Sequence, residues 1–302
     1  MNPLISVVIP TFNHAHFLGR ALQSVLSQTY QHYEILVIDN NSQDNTYHVV
    51  NSFRDSRIRL ITIENNGVIA ASRNLGIREA RGEWVAFLDS DDYWYPEKLK
   101  RMLSVIQFDS LIDVLSNDEL MVDISTGVRK IFRYGPYENN FYKSLLMGGN
   151  RMSTSATMIR LKFLALHNLS FDETREYITV EDYDLWLNLA RLGARFNFLN
   201  EVLGEYTIHG SNNSSQLFRH WGGLEAVLRN HVFKLQQFHR SPERLWNLIS
   251  PRLGLLKAQQ FFINGEFIAG VVAVFKAFLR SPSGVFLYFF MRFKKFTIRK
   301  IV

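Results

Sequence analysis

Apolar and polar residues alternate in blocks over the first hundred positions, and the period of each block predicts its element. Leu4–Ile9 is a compact run rich in β-branched residues, closed by Pro10, and reads as a buried strand. Over Ala15–Ser27 the side chains of Phe17, Ala21, Leu22, Val25 and Leu26 fall on one helical face. Tyr33–Ile38 predicts a second buried strand and the polar cluster Asp39–Asn45 a turn. A helix over Thr46–Phe53, a strand over Arg57–Ile63 and a helix over Val68–Ala80 follow. A fourth strand, Glu83–Leu88, runs straight into Asp89, Ser90, Asp91 and Asp92. Short apolar strands joined by helical crossovers imply an α/β fold, a mainly parallel twisted sheet flanked by helices. Such sheets bind ligands beyond the carboxyl ends of their strands. Pro10, Thr11 and Asn13 close the first strand, Asp39 the second, and Asp89 and Asp91 the fourth, so these residues are expected to converge.

Beyond Ser110 the pattern weakens. Strands are expected at Asp113–Ser116 and Ala156–Ile159, and a helix at Tyr183–Leu192 with Leu185, Leu189 and Leu192 on one stripe. Ser211–Gln216 reads as a polar loop. The remainder, 216–302, reads as helical, punctuated by Pro251, Gly254, Gly265 and Pro282. The expected division is therefore 1–215 and 216–302.

Composition narrows the chemistry. With 47% hydrophobic and 21% charged residues the chain has the balance of a globular core. It has no cysteine, which removes disulfides, thiolate metal sites and cysteine nucleophiles, and which agrees with a reducing compartment. The net charge of +6 is local: residues 276–302 hold seven basic side chains and no acidic one, and the rest holds 27 basic against 28 acidic. No basic face is spread over the globular part, so nucleic acid is not an expected partner. The first apolar run is short and lacks a basic leader, and no window of about 18 residues is apolar throughout, so neither a targeting signal nor a membrane-spanning helix is expected. The glycine-rich phosphate loops of kinases and dinucleotide enzymes and the G-x-S-x-G elbow are absent.

The acidic cluster Asp89–Asp92 is the sharpest chemical feature. Carboxylates this close repel one another unless a cation or strong donors lie among them. Mn²⁺ or Mg²⁺ would relieve that repulsion and bridge to a diphosphate; the plainer reading is an acidic turn capping the helix that begins near Pro96. Asp39 suits a nucleobase or ribose, or an Asx-turn. Arg73 suits a phosphate, or a solvated helix surface. Glu181 and Asp182 suit general-base chemistry, or a helix dipole. His209 suits a metal or a phosphate, or a structural role.

In combination these strings resemble the family 2 inverting glycosyltransferases of the GT-A fold. Val7-Val8-Ile9-Pro10-Thr11-Phe12-Asn13, Ile38-Asp39-Asn40-Asn41-Ser42, Ala71-Ser72-Arg73-Asn74-Leu75-Gly76 and Phe87-Leu88-Asp89-Ser90-Asp91-Asp92 occur in that order. Glu181 to Trp186 and Tyr206 to His209 extend the likeness, which covers roughly residues 3–215. The resemblance implies a nucleotide-sugar half at 1–110 and an acceptor half at 111–215. Pro10, Thr11, Asn13, Asp39, Arg73, Asp89 and Ser90 would hold the nucleotide, with Asp39 facing the base and Asp89 on the ribose side. Asp91 and His209 would hold Mn²⁺ or Mg²⁺ at the diphosphate, and Asp182 would deprotonate the acceptor hydroxyl. Asn40-Asn41 departs from the acidic residues, or Asp then Gly, frequent there. The implied enzyme is a hexosyl- or N-acetylhexosaminyl-transferase with a UDP-sugar donor.

The tail interleaves its basic side chains with Phe278, Phe286, Tyr288, Phe289, Phe290, Phe293 and Phe296. That mixture suits an anionic membrane surface, or a helical hairpin packed on the catalytic domain. With the family likeness it implies a peripheral protein on the inner membrane face, acting on a lipid-linked saccharide in surface-polysaccharide synthesis. Two rivals are a non-catalytic membrane-associated nucleotide-sugar-binding protein and a sugar nucleotidyltransferase. The second lacks the basic glycine-rich loop it would need in Pro10–Gly19.

Overall fold

A computed structural model describes residues 2–210 and 217–298; the expected loop at Ser211–Gln216 and the end of the basic tail lie outside the described residues. The chain forms two compact units, Met1–Asn139 with Arg151–Ser215, and Asn140–Asn150 with the chain from Gln216 on. The short segment Asn140–Asn150, inside the expected first domain, groups with the second unit.

The first unit begins as its hydrophobic pattern predicts, with β1 (Ile5–Thr11), α1 (Ala15–Leu26), β2 (Tyr33–Asp39), α2 (Thr46–Ser52), β3 (Ile58–Thr62), α3 (Ile69–Glu79) and β4 (Trp84–Phe87). It continues with β5 (Tyr93–Trp94), α4 (Lys98–Phe108), β6 (Val114–Asp123) and β7 (Arg129–Phe132). The helix α5 (Phe141–Gly148) belongs to the second unit; β8 (Thr157–Arg160), α6 (Leu161–Leu166), α7 (Glu181–Arg191) and β9 (Phe196–Ile208) complete the first. The sheet runs β3-β2-β1-β4-β8-β6-β9-β5, with β7 beside β6. From β3 to β4 every pairing is parallel. Beyond β4 the sheet is mixed: β8 is antiparallel to both β4 and β6, β6 and β9 are parallel, and β5 returns antiparallel to β9.

The central strands β1 and β2 are buried on both faces, while β3 at the edge is only part-buried. Ile5, Val7, Val8 and Ile9 of β1 are fully buried, as are Ile35 to Ile38 of β2. Each such side chain contributes roughly 1.5–3 kcal/mol by leaving water, which fixes these strands in the middle of the sheet. Because β1 and β2 are in register with Thr11 opposite Asp39, their last residues emerge side by side. Leu88 continues the line by donating its amide to the Val8 carbonyl (3.0 Å), and the acidic turn begins one residue later.

In the second unit, α8 (Leu217–Asn230), α9 (Pro242–Ile263), α10 (Phe267–Arg280) and α11 (Pro282–Ile298) follow one another. Ser241 caps α9 by accepting from the Arg244 amide, with Pro242 in the first turn where its missing N–H costs nothing. Arg252 of α9 donates to the carbonyls of Leu146 and Met147 at the end of α5.

Close approach of α3 to β1 depends on Gly76, where an added Cβ would stand 2.3 Å from a Val8 methyl. Alanine is the better helix former by roughly 1 kcal/mol, yet Val8 is fully buried and has nowhere to move. Gly76→Ala is expected to destabilise the protein by about 1–3 kcal/mol, the usual cost of overpacking, measured by urea unfolding. A neutral or stabilising result would contradict this packing.

Candidate active site

The site grows from strand ends. At the end of β2, Asp39 is nearly buried, and its Oδ1 accepts from the Ser42 amide (3.2 Å) and hydroxyl (2.5 Å). The Asx-turn is therefore real, and it uses one oxygen only. Asn13, in the left-handed region at φ 52°, links the neighbouring loop: its amide donates to Ser42 Oγ and its Oδ1 accepts from the Gln43 amide, both at 2.8 Å. A short polar side chain tolerates that backbone where most residues would be strained. Pro10 and Thr11 are buried within β1, and the buried Thr11 hydroxyl has no hydrogen-bond partner among the described residues.

The acidic turn is held from several sides. Arg73, on α3 and 3% exposed, donates from Nη2 to Asp89 Oδ1 (2.8 Å) and from Nη1 to Glu181 Oε1 (2.6 Å). Burial works against its charge, but Asp89 and Glu181 outweigh burial and push the guanidinium well above its ordinary range. Removing one partner from such a buried pair typically costs about 3–5 kcal/mol. The fork that was expected to grip a phosphate is thus committed inside the protein. It ties Asp89 to the first turn of α7, where Asp182 sits half-buried with its Oδ1 accepting from the Tyr183 amide (2.6 Å).

Asp91 faces the opposite way. Its Oδ2 lies 2.8 Å from Nε2 of His209, one residue past the end of β9. Burial, and then repulsion from Asp89, raise the Asp91 carboxyl above its usual range, while the His209 bond opposes both. His209 packs against Phe17 with ring centroids 4.6 Å apart, and His14, 5.8 Å away, meets the Ser90 hydroxyl through Nδ1 (3.0 Å). None of the three carboxylates caps α4, whose N-cap is Glu97.

Among the described residues no three His, Asp or Glu side chains gather as a ready cation site. The Asp91–His209 pair is a two-donor set of one carboxylate oxygen and one imidazole nitrogen. The imidazole nitrogen suits Mn²⁺ better than Mg²⁺, so these two side chains are the ones that could hold such a cation. A cation there would relieve both effects that raise the Asp91 carboxyl.

Thr11, Asn13, Asp39, Asp89 and Asp91, expected to converge at the strand ends, emerge there, and the bond to Asp91 brings His209 beside them. Sequence reasoning passed over the group beneath them. Asp92, 2% exposed, accepts from the Ser155 hydroxyl (2.5 Å) and the Thr207 amide (2.8 Å). Ser155 also accepts the Asp89 amide at 3.0 Å, and its carbonyl accepts from Trp94 Nε1 and from Lys98 Nζ, both at 2.8 Å. Lys98 is fully buried, which pulls its ammonium down to about 7 against the raising influence of Glu119 and Asp92. Burial, with Asp91, Glu119 and Asp89 nearby, holds the Asp92 carboxyl well above the usual range.

The fold has counterparts. Residues 6–161 match the model of glycosyl transferase family 2. A glucosyltransferase of Escherichia coli, the UDP-Glc:alpha-D-GlcNAc-diphosphoundecaprenol beta-1,3-glucosyltransferase WfaP, is 32% identical over 234 residues, 76% of this chain and 86% of its own. The structure of S. aureus TarS 1–349 in complex with UDP-GlcNAc is similar over 82% of this chain and 71% of its own, with a TM-score of 0.66 at 20% identity. The mannosyltransferase PcManGT from Pyrobaculum calidifontis, in complex with GDP-Man and Mn²⁺, is similar over 97% of this chain and 81% of its own, with a TM-score of 0.61 at 17% identity. These structures share the GT-A type of fold with this chain.

Proposed function

The chain belongs to glycosyl transferase family 2 and is a glycosyltransferase, and from that premise we propose that it moves a sugar from a UDP-sugar to a hydroxyl of a lipid-linked saccharide, inverting the anomeric centre. The observation that carries the reading is the meeting of Asp39, Asp89, Asp91 and His209 at one set of strand ends, with Asp182 brought to the same place through Arg73 and Glu181. The donor and acceptor classes follow the substrates named for WfaP and the UDP-GlcNAc held by TarS. Surface-polysaccharide assembly is the setting that such an acceptor implies.

Each residue then has a task. Thr11, Asn13 and Asp39 line the base and ribose, and the unpartnered Thr11 hydroxyl supplies a hydrogen bond to that ligand. Pro10 and Ser90 shape the loops on either side. Asp91 and His209 hold Mn²⁺ or Mg²⁺, which when bound supplies positive charge for the departing nucleoside diphosphate. Arg73 does its work indirectly, keeping Asp89 and α7 in fixed relation. Asp182 accepts the proton of the acceptor hydroxyl as that oxygen attacks the anomeric carbon opposite the leaving group. One bond forms as another breaks, so no sugar–enzyme intermediate is needed.

The second unit supplies a surface for a membrane-bound acceptor. On α10, Ile268, Val271, Phe275 and Leu279 recur at helical spacing, each more than half exposed, while Gly270 and Ala277 on the other side are buried. Phe267 at the start of α10 and Phe286 on α11 are exposed in the same way. An apolar face this continuous is uncommon on a protein that meets only water. Among the described residues no single helix is long and apolar enough to cross a membrane; α10 and the first half of α11 pass that test only as a pair bent by 110°. Exposed Lys276 and Arg280 flank the face, and no acidic residue follows Glu266. An anionic bilayer therefore fits it, each basic residue near the surface contributing about 1 kcal/mol. The protein accordingly works peripherally, on the inner face of the membrane.

Asp182→Asn keeps the shape but removes the base. It is expected to lower transfer by roughly 10²–10⁴-fold while UDP binding by calorimetry stays within twofold. Undiminished transfer would take the base role from Asp182. In flotation with vesicles, wild type is expected to rise with phosphatidylglycerol-containing bilayers, less so as salt increases, and not with pure phosphatidylcholine. Val271→Asp with Phe275→Asp is expected to abolish flotation without changing UDP affinity. Equal flotation of the variant would remove the membrane from this face.

A further inference from the structure

The family reading leaves Asp92 without a task, yet both oxygens of its buried carboxyl are hydrogen-bonded. Its two oxygens reach different parts of the sheet: Oδ2 meets the Ser155 hydroxyl, just before β8, and Oδ1 meets the Thr207 amide, near the end of β9. The register explains why a side chain is needed there. The β5–β9 ladder pairs Trp94 with Gly204 and Tyr93 with Glu205 and then stops, because the chain turns away at Asp92. Past that point β9 lacks a β5 residue to pair with, and the Asp92 carboxyl takes the Thr207 N–H in its stead. Gly204 permits the close approach that brings the two strands together; a Cβ there would lie 2.7 Å from the Tyr93 carbonyl oxygen.

Two residues beyond Thr207 stands His209, and one residue before Asp92 stands Asp91. We propose that Asp92 is a positioning residue that sets His209 against Asp91, by bonding the acidic turn to the strand that delivers the imidazole. Ser155 completes the device. Its hydroxyl donates a hydrogen bond to Asp92 and accepts one from the Asp89 amide, so one side chain fixes both ends of the D-x-D-D turn. Its carbonyl is in turn anchored by Trp94 and Lys98. The distance from His209 Nε2 to Asp91 Oδ2, 2.8 Å, is then set by bonds made beneath the pair rather than by the pair alone. An unpaired buried donor is costly, so loss of Asp92 leaves the Thr207 amide and the Ser155 hydroxyl seeking other partners, and the end of β9 shifts. The inference rests on the reading of Asp91 and His209 as the cation pair, but the positioning itself is visible without a cation.

The test uses full-length metal-free protein and nitrogen NMR of its histidine rings, with the His209 signal identified by its absence from His209→Gln. Wild type is expected to show a slowly exchanging Nε2 proton on His209, shared with Asp91. Asp92→Leu, similar in size but unable to bond, is expected to lose that signature and to weaken Mn²⁺ binding in the presence of UDP at least tenfold. Asp92→Asn still accepts the Thr207 amide and is expected to recover the signature and to bring Mn²⁺ binding within threefold of wild type. Should Asp92→Leu fail to fold, Ser155→Ala carries the test, with an expected partial loss of the His209 signal that Asp92→Asn does not show. A folded Asp92→Leu or Ser155→Ala with the wild-type His209 signal would overturn the proposal, as would an Asp92→Asn protein that loses it. If wild type binds no Mn²⁺ with any nucleotide, the cation reading fails, and the ring signal still decides whether Asp92 positions His209.

Discussion

Three carboxylates packed into four residues at the end of a buried strand repel one another, and much of the first unit is arranged to answer that repulsion. Asp89 is met by Arg73, Asp91 by His209, and Asp92 by Ser155 and the Thr207 amide. The partners come from three places: Arg73 from α3, His209 and Thr207 from the end of β9, and Ser155 from the loop before β8. The acidic turn therefore acts as a junction that holds the parallel half of the sheet to its mixed half. Carboxylates this close, on a turn this buried, stay together only inside such a scaffold. The residual unfavourable interaction is borne by Asp91 and Asp92, whose carboxyls are both pushed up by burial and by their neighbours.

The first half of this arrangement was legible in the sequence because it is local. From β1 to β4 each strand is a continuous apolar run and each crossover an amphipathic or polar stretch, so boundaries agree with the structure to within a residue or two. The second half obeys longer-range rules. β9 runs for 13 residues, yet its buried and exposed positions do not alternate cleanly, and its pairing with β6 shifts register around Asn117 and Asp118. No period marks such a strand. β5 has two residues and exists only because β9 lies beside it. Packing partners far along the chain decide these elements.

The site shows the same division. Asp39, Asp89, Asp91, Asp182 and His209 stand in recognisable strings, and residue chemistry alone suggested what several of them do. Arg73 was legible as a site residue but not in its surroundings: a helical arginine gives no sign that two carboxylates, 16 and 108 positions away, will enclose it. Ser155 gave no signal at all. A serine in a stretch containing other small hydroxyl residues reveals its importance only once Asp89, Asp92, Trp94 and Lys98 are seen to converge on it. Glu181 was weighed with Asp182 as a dipole-stabilising pair, whereas the structure makes it the far end of the Arg73 bridge.

A cation-assisted nucleotide site at the strand ends would be decided by calorimetry. UDP, GDP and dTDP would be titrated with Mn²⁺ and then with EDTA, into wild type and Asp91→Asn. The account predicts that UDP binds in the presence of Mn²⁺ and weakens at least tenfold when the cation is removed or Asp91 is replaced. Absence of binding by all three nucleotides, or binding indifferent to both the cation and the substitution, would contradict it.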